Sequence, residues 1–277
     1  MKWRGREKSS NVEDRRGMGG KTVLGGGIGI VILLIYTLFG GNPGDIVGDI
    51  SPGPSNAPYV ETAEEKDMAE FVSVVLADTE KIWTEVLAEE GVEYREPTLV
   101  LFTGSVQSGC GMAGSQMGPF YCSADDKLYI DLSFFDELKT KFRAPGDFAM
   151  GYVVAHEVGH HVQNILGITD QVHQLRPKLS DEEYNKYSVR LELQADYLAG
   201  VWGYHAEEMG LLEEGDLEEA LRAASAIGDD TLQKRSQGYT VPDSFTHGTS
   251  EQRQKWFYKG FTTGDLSQWD TFNTNDL

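Results

Sequence analysis

His156-Glu157-Val158-Gly159-His160 puts two imidazoles and a carboxylate into five residues of an otherwise apolar stretch, YVVAHEVGHHVQNIL. On a helix, positions four apart share one face, so both imidazoles can meet a single metal ion. Glu157 lies beside that face, within reach of a water on the ion as general base. A catalytic zinc ion needs a third protein ligand and an open position. Glu192-Leu193-Gln194-Ala195-Asp196, inside a second apolar stretch (LELQADYLAGVW), supplies Glu192 as that ligand. Asp196, one turn later on the same face, is placed to accept the free ring N–H of a ligand histidine, which fixes its tautomer. Acids amid apolar helix residues are costly unless paired or metal-bound, and one metal site accounts for both. The competing reading, histidines merely satisfied on a buried helix face, leaves these two acids unexplained.

The remaining histidines and the cysteines sort differently. His247, in Thr246-His247-Gly248-Thr249, stands on the loop before the last expected helix. There it can swing over the metal and stabilise an oxyanion; the other reading is a structural loop residue. His161 points away from the motif face, as an outer partner or a surface residue. His173 in a polar loop and His205 on an exposed helical stretch read as bland. Tyr197, Tyr204 and Tyr239 are weaker candidates for the oxyanion role. Cys110 and Cys122, the only cysteines, bound a Gly-rich loop, CGMAGSQMGPFYC. They fit one disulfide on the translocated side of a membrane, the alternative being two unpaired buried thiols. A cysteine-only zinc site lacks a second pair.

The elements that must position these groups follow from caps and periodicity. Thr62 and Glu65 form a capping box opening a helix to about Gly91, its apolar stripe running from Met68 and Phe71 to Val86 and Leu87. Residues 97–102 and 127–132 read as strands, and the second is expected to be the edge along which an extended peptide aligns. Ser133 begins a short helix. Asp147 is the expected N-cap of the motif helix, which runs through Leu166 with Gly167 at its C-cap. Ser180 and Glu183 cap a long helix ending near Gly210; Asp216 caps another, to about Ile227; a last helix runs from Thr249 or Ser250 through Trp256. The sum is a mostly helical α+β body with a small sheet.

Charge and hydropathy divide the chain. Residues 1–21 hold seven Lys or Arg against three acids, whereas the other 256 hold 17 bases against 41 acids. An acidic body excludes nucleic acid as its partner, because a phosphate backbone needs positive charge facing it. Residues 22–39 (TVLGGGIGIVILLIYTLF) carry no charge. As a helix they span about 27 Å, close to the thickness of a bilayer core. With Lys21 and the basic tail before it, the segment reads as an uncleaved anchor, N-terminus cytoplasmic and body outside. A cleaved signal peptide and a buried core helix are the competing readings. Residues 40–60, rich in Gly, Pro and Asp, read as a linker to a domain at 61–277.

From the tail to about residue 261, the sequence resembles the bacterial family of putative neutral zinc metallopeptidases, single-pass membrane proteins. The resemblance is carried by Asn11 through Gly17, Gly118-Pro119-Phe120-Tyr121-Cys122, Gly146-Asp147-Phe148, Ala155 through Gln163, Leu191 through Gly200, Thr246-His247-Gly248, Gln252-Arg253 and Trp256-Phe257. It implies a zincin-like fold with His156, His160 and Glu192 as zinc ligands and Glu157 as catalytic residue, and it supplies no substrate. The Glu192–Asp196 pair is similar to the third-ligand element of gluzincins, in which a late histidine serves the oxyanion, the role expected of His247. The expectation is therefore a membrane-anchored, outward-facing zinc endopeptidase acting on peptides or proteins. The alternatives are an envelope scaffold with little hydrolysis and a zinc hydrolase of a non-protein amide.

Overall fold

Side-chain caps start three helices of the body. Thr62 and Glu65 cap α1 (Ala63–Glu89) reciprocally, Ser180 and Glu183 cap α5 (Asp181–Glu208), and Thr249 and Gln252 cap α8 (Ser250–Thr263). Each box satisfies donors that a helix N-terminus otherwise leaves bare. Between them lie α2 (Ser133–Thr140), α3 (Asp147–Ile165), α4 (Ile168–His173), α6 (Asp216–Ala226) and α7 (Asp229–Gln237). The computed structural model describes residues 1–17 and 59–277. The expected span at 22–39 and nearly all of the linker at 40–60 lie outside the described residues. Among the described residues, no helix is long and apolar enough to cross a membrane.

The α+β expectation holds: a mostly helical body carries a small sheet. Its strands are β1 (Val12–Asp14), β2 (Thr98–Phe102), β5 (Phe120–Cys122) and β6 (Lys127–Asp131), in the order β1-β2-β6-β5. The first three neighbours run parallel, and β5 is antiparallel to β6. A separate hairpin, β3 (Ser105–Ser108) with β4 (Gly111–Gly114), turns at the first cysteine, so that only β4 lies within the loop the cysteines bound. Cys110 at the hairpin turn is bonded to Cys122 on β5, so the disulfide ties the hairpin to the sheet.

Two expectations are corrected by this topology. The strand expected to align a peptide, β6, is interior, with β2 on one side and β5 on the other. Its main-chain groups are therefore spent, and β5 is the edge on that side. Residues 1–21 were expected to be a tail apart from the body; instead Met1–Arg15 and Thr62–Leu277 form one unit. The basic residues complement acids of α1: Arg4 pairs with Asp67, Arg6 with Asp78 and Lys8 with Glu70. Met1 and Trp3 are buried, Trp3 packing edge-on against Phe71, and β1 adds a parallel strand beside β2. In the second unit, Arg16–Glu61, Arg16 pairs with Glu61 at 2.7 Å.

The helix bearing the motif, α3, is buried on nearly every side, against α1, α5 and α6. Its N-cap is Gly146 at φ 129°, not Asp147, which instead opens the first turn. Two close crossings depend on missing side chains. A Cβ at Gly159, between the motif histidines, would stand 3.0 Å from the Ala195 carbonyl oxygen and 3.3 Å from Leu198 Cβ, so glycine lets α5 approach α3 at the level of the site. At Gly260 a Cβ would lie 2.0 Å from the Tyr197 carbonyl oxygen, so the missing side chain lets α8 come closer still to α5.

Candidate metal centre

Close approach of α3 and α5 gathers His156, His160 and Glu192, whose ligand atoms all lie within 4.8 Å of one another. His156 Nε2 is 3.1 Å from one Glu192 oxygen, and His160 Nε2 is 3.5 Å from the other. Ligands about 2.05 Å from a tetrahedral zinc ion stand about 3.4 Å apart, so the spacing fits that ion. The donor set fits as well: neutral imidazoles and one carboxylate suit zinc. Burial alone would raise the Glu192 pKa, but His160, His247 and His156 hold it well below the usual carboxylate range. The ligand is thus anionic before any metal arrives. A second acidic group, Asp147, Asp216 and Glu219, lies elsewhere; Asp147 and Asp216 there pair with the Met1 ammonium.

Both ligand histidines have their other nitrogen committed. His156 Nδ1 donates to Asp196 Oδ1 at 2.9 Å, the contact expected from the spacing of Glu192 and Asp196. His160 Nδ1 donates to Gln163 Oε1 at 2.9 Å, and Gln163 is itself held by donating to the Leu191 carbonyl and to Gln194. Each ring therefore presents Nε2 to the metal position, with tautomer and orientation set by its outer partner.

Asp196 does more than the sequence reading assigned to it. It is fully buried and accepts four donors: His156, the Tyr152 hydroxyl at 2.6 Å, and Arg253 through Nε at 2.8 Å and Nη2 at 2.9 Å. Burial pushes its pKa up, yet Arg253 and His156 outweigh this and bring it down to about 2. Arg253, 2% exposed on α8, thus keeps the carboxylate charged against the cost of burial. It was read only as part of a family pattern, and Tyr152 not at all. Nothing in the spacing of α8 relative to α3 identifies them, because the two elements meet only through the tertiary fold.

Glu157, buried beside the ligands, lines a cleft with His156, His247, Arg253 and Tyr152. His247 reaches this cleft from the loop before α8, with 49% of its side chain exposed. Its Nδ1 lies 3.3 Å from Asp229 Oδ1, and Asp229 Oδ2 accepts the main-chain N–H groups of Thr246, His247 and Gly248. Partial loss of water in the cleft opposes the charged histidine, but Glu192 and Asp229 raise its pKa above the ordinary value. Asp229 was missed because α7 itself was missed: a nine-residue polar helix without an apolar stripe gives no periodic signal.

The other expected candidates are structural. His161 is buried and donates through Nε2 to the Arg95 carbonyl, with Nδ1 3.0 Å from the Tyr121 hydroxyl, which pins α3 to β5. His205 is half-buried against the Gly264 carbonyl, His173 ends α4 at the surface, and the Tyr197 hydroxyl donates to the Asp265 carbonyl. Tyr239 is exposed.

Comparison with known proteins gives the family. The family described as "Putative neutral zinc metallopeptidase" matches residues 1–272, further than the resemblance up to residue 261. "Uncharacterized protein YpfJ" of Escherichia coli K12 is 51% identical over 283 residues, covering 98% of this chain and 99% of that protein. "Uncharacterized protein Mb2605" of Mycobacterium bovis is 46% identical over 195 residues, or 66% of this chain and 65% of that one. No solved structure matches. With a family match over almost the whole chain and a His–His–Glu group of zinc spacing, the chain belongs to the putative neutral zinc metallopeptidase family, and its cofactor is zinc.

Proposed function

We propose that the protein is a zinc-dependent endopeptidase. The observation that carries this reading is the meeting of an anionic three-ligand site, Glu157 and the Asp229–His247 pair in one cleft. A scaffold needs the ligands alone; a hydrolase also needs a base and a group for the developing oxyanion. Zinc, when bound by His156, His160 and Glu192, supplies Lewis-acid polarisation of the scissile carbonyl and makes water more acidic. Glu157 takes the proton of the attacking water and hands it to the leaving amine. His247, with Nδ1 engaged by the Thr246 hydroxyl and Asp229, has Nε2 left to stabilise charge developing on the carbonyl oxygen. Arg253 and Asp196 hold the His156 ring, and Gln163 holds His160. Gly118 and Pro119, which lead into the edge strand β5, line the same cleft and offer an extended substrate a place to align. The test is zinc content and peptide turnover for wild type beside Glu157→Gln. The variant is expected to keep its metal and lose turnover; a variant as active as wild type removes Glu157 from the mechanism.

We further propose that residues 22–39 attach the chain to a membrane with the catalytic unit outside the cytoplasm. The 18-residue uncharged stretch and the Cys110–Cys122 disulfide, which belongs to an oxidising compartment, support this. Pairing of β1 with β2 favours the N-terminal residues on the same side as the catalytic unit, so a cytoplasmic N-terminus requires Met1–Arg15 to leave the sheet. An impermeant maleimide applied to intact cells bearing Lys8→Cys or Tyr239→Cys separates the possibilities. Labelling at Tyr239→Cys supports the outward unit, its absence refutes it, and Lys8→Cys reports the side of the N-terminus.

A further inference from the structure

The cleft beside Glu157 has two unlike walls. One carries the metal ligand His156, Glu157, His247 and Arg253. The other is apolar: Phe134 on α2, Phe142 just after it, Val153 on α3, Ile227 at the end of α6 and Leu232 on α7. Phe134 and Phe142 pack against each other with ring centroids 6.2 Å apart, and both stay only half-buried because one side of each faces the cleft. Gly118, at φ 75°, has no side chain to place against the Phe134 ring; a Cβ there would stand 3.5 Å from it and narrow the opening. Charge at the rim is neutralised locally, since Glu137 and Lys141 pair at 3.1 Å. Arg253 is occupied by Asp196. The apolar wall therefore presents no uncompensated charge to select a charged side chain.

The cavity measures about 260 Å³. An apolar cavity of about 150 Å³ accepts a benzene ring, so this one holds a large side chain with room for adjoining main chain. Because His156 and Glu157 line the same cavity, a side chain seated on the apolar wall leaves the neighbouring peptide bond at the reactive groups. We propose that Phe134, Phe142, Val153, Ile227 and Leu232 form the specificity pocket, and that it takes a bulky apolar side chain, aromatic or branched aliphatic, next to the scissile bond. This rests on the peptidase reading above and gives that reading a substrate class.

The test is cleavage of a randomised library of end-capped peptides by the zinc-loaded full chain in detergent micelles, with cleavage sites read by mass spectrometry. One position flanking the cut is expected to be enriched in Phe, Leu, Ile and Met. Alanine at that position is expected to lower kcat/KM by about tenfold or more, since a single methylene in an apolar pocket already discriminates by about 10- to 200-fold. Leu232→Glu, checked for zinc content and helical circular dichroism, is expected to shift the preference at that position toward Lys and Arg. If that variant does not fold, Phe142→Ala serves, expected to improve the relative kcat/KM of Trp over Leu. Enrichment of small or charged residues, or an unchanged preference in a folded variant, overturns the pocket alone. Absence of any cleavage by the zinc-loaded chain overturns the peptidase reading and the pocket with it.

Discussion

Replacing Arg253 by Met tests whether the buried ionic network holds the metal centre together. The guanidinium makes a bidentate pair with Asp196, and its Nη2 also donates to the Tyr152 hydroxyl at 3.1 Å. Both partners are almost wholly out of water, with Arg253 2% and Asp196 0% exposed. Methionine keeps much of the volume and removes the charge. It leaves Asp196 with two donors, Tyr152 and His156. Removing one partner of a buried pair costs about 3–5 kcal/mol, because the remaining charge stays desolvated. The metal-free protein is therefore expected to lose about 3–5 kcal/mol of unfolding free energy, measured by urea titration. The second consequence concerns zinc. Without Arg253 the Asp196 pKa rises, and a protonated Asp196 is a poorer acceptor for His156 Nδ1–H. Loss of such an outer contact weakens metal affinity by about 10- to 100-fold. The stabilisation added by zinc is then smaller by about 1.4–2.7 kcal/mol. The double variant Asp196→Asn with Arg253→Met should be less destabilised than the two single losses together, since each single change strands the other group. If Arg253→Met unfolds within about 1 kcal/mol of wild type and binds zinc as tightly, the network is not what keeps Asp196 charged or His156 in place.

Further expectations follow from other parts of the molecule. Glu192→Ala is expected to weaken zinc binding strongly in a competition titration with a chromogenic chelator, whereas unchanged affinity places the third ligand elsewhere. Trp3→Ala removes a buried ring packed on Phe71 and is expected to cost about 3–5 kcal/mol; a surface tail would show almost no effect. Asp229→Asn is expected to lower the His247 pKa. His247 is raised above its unfolded value, so the stability from its pair is full below about pH 6.5 and fades as pH rises through the folded value. The variant should lose that acidic-side stability and show an NMR titration of His247 shifted to lower pH; an unmoved titration refutes the pairing. Replacing both cysteines by serine opens a loop of sequence separation 12, and about 3 kcal/mol of stability is expected to go with it.

Local rules reached far into this chain. The metal ligands and Glu157 lie within two helices whose caps and periodicity are written in short stretches, Ser180 with Glu183 and His156 through His160. A helix repeats every 3.6 residues, so spacing alone states which side chains share a face. That is why His156 with His160, and separately Glu192 with Asp196, could be placed on shared faces from sequence, and why α1, α3 and α5 were anticipated nearly to their ends. Tertiary structure decided what spacing has no means to express. Arg253 and Tyr152 join Asp196 from elements 101 residues apart, and Asp229 reaches His247 from a polar helix with no apolar stripe. The N-terminal charges were legible as charge but not as partners: whether Arg4, Arg6 and Lys8 face a membrane or the acids of α1 depends on where α1 lies in space. Likewise β6 was legible as a strand, while its interior place was not, since a strand's neighbours come from pairing between distant segments.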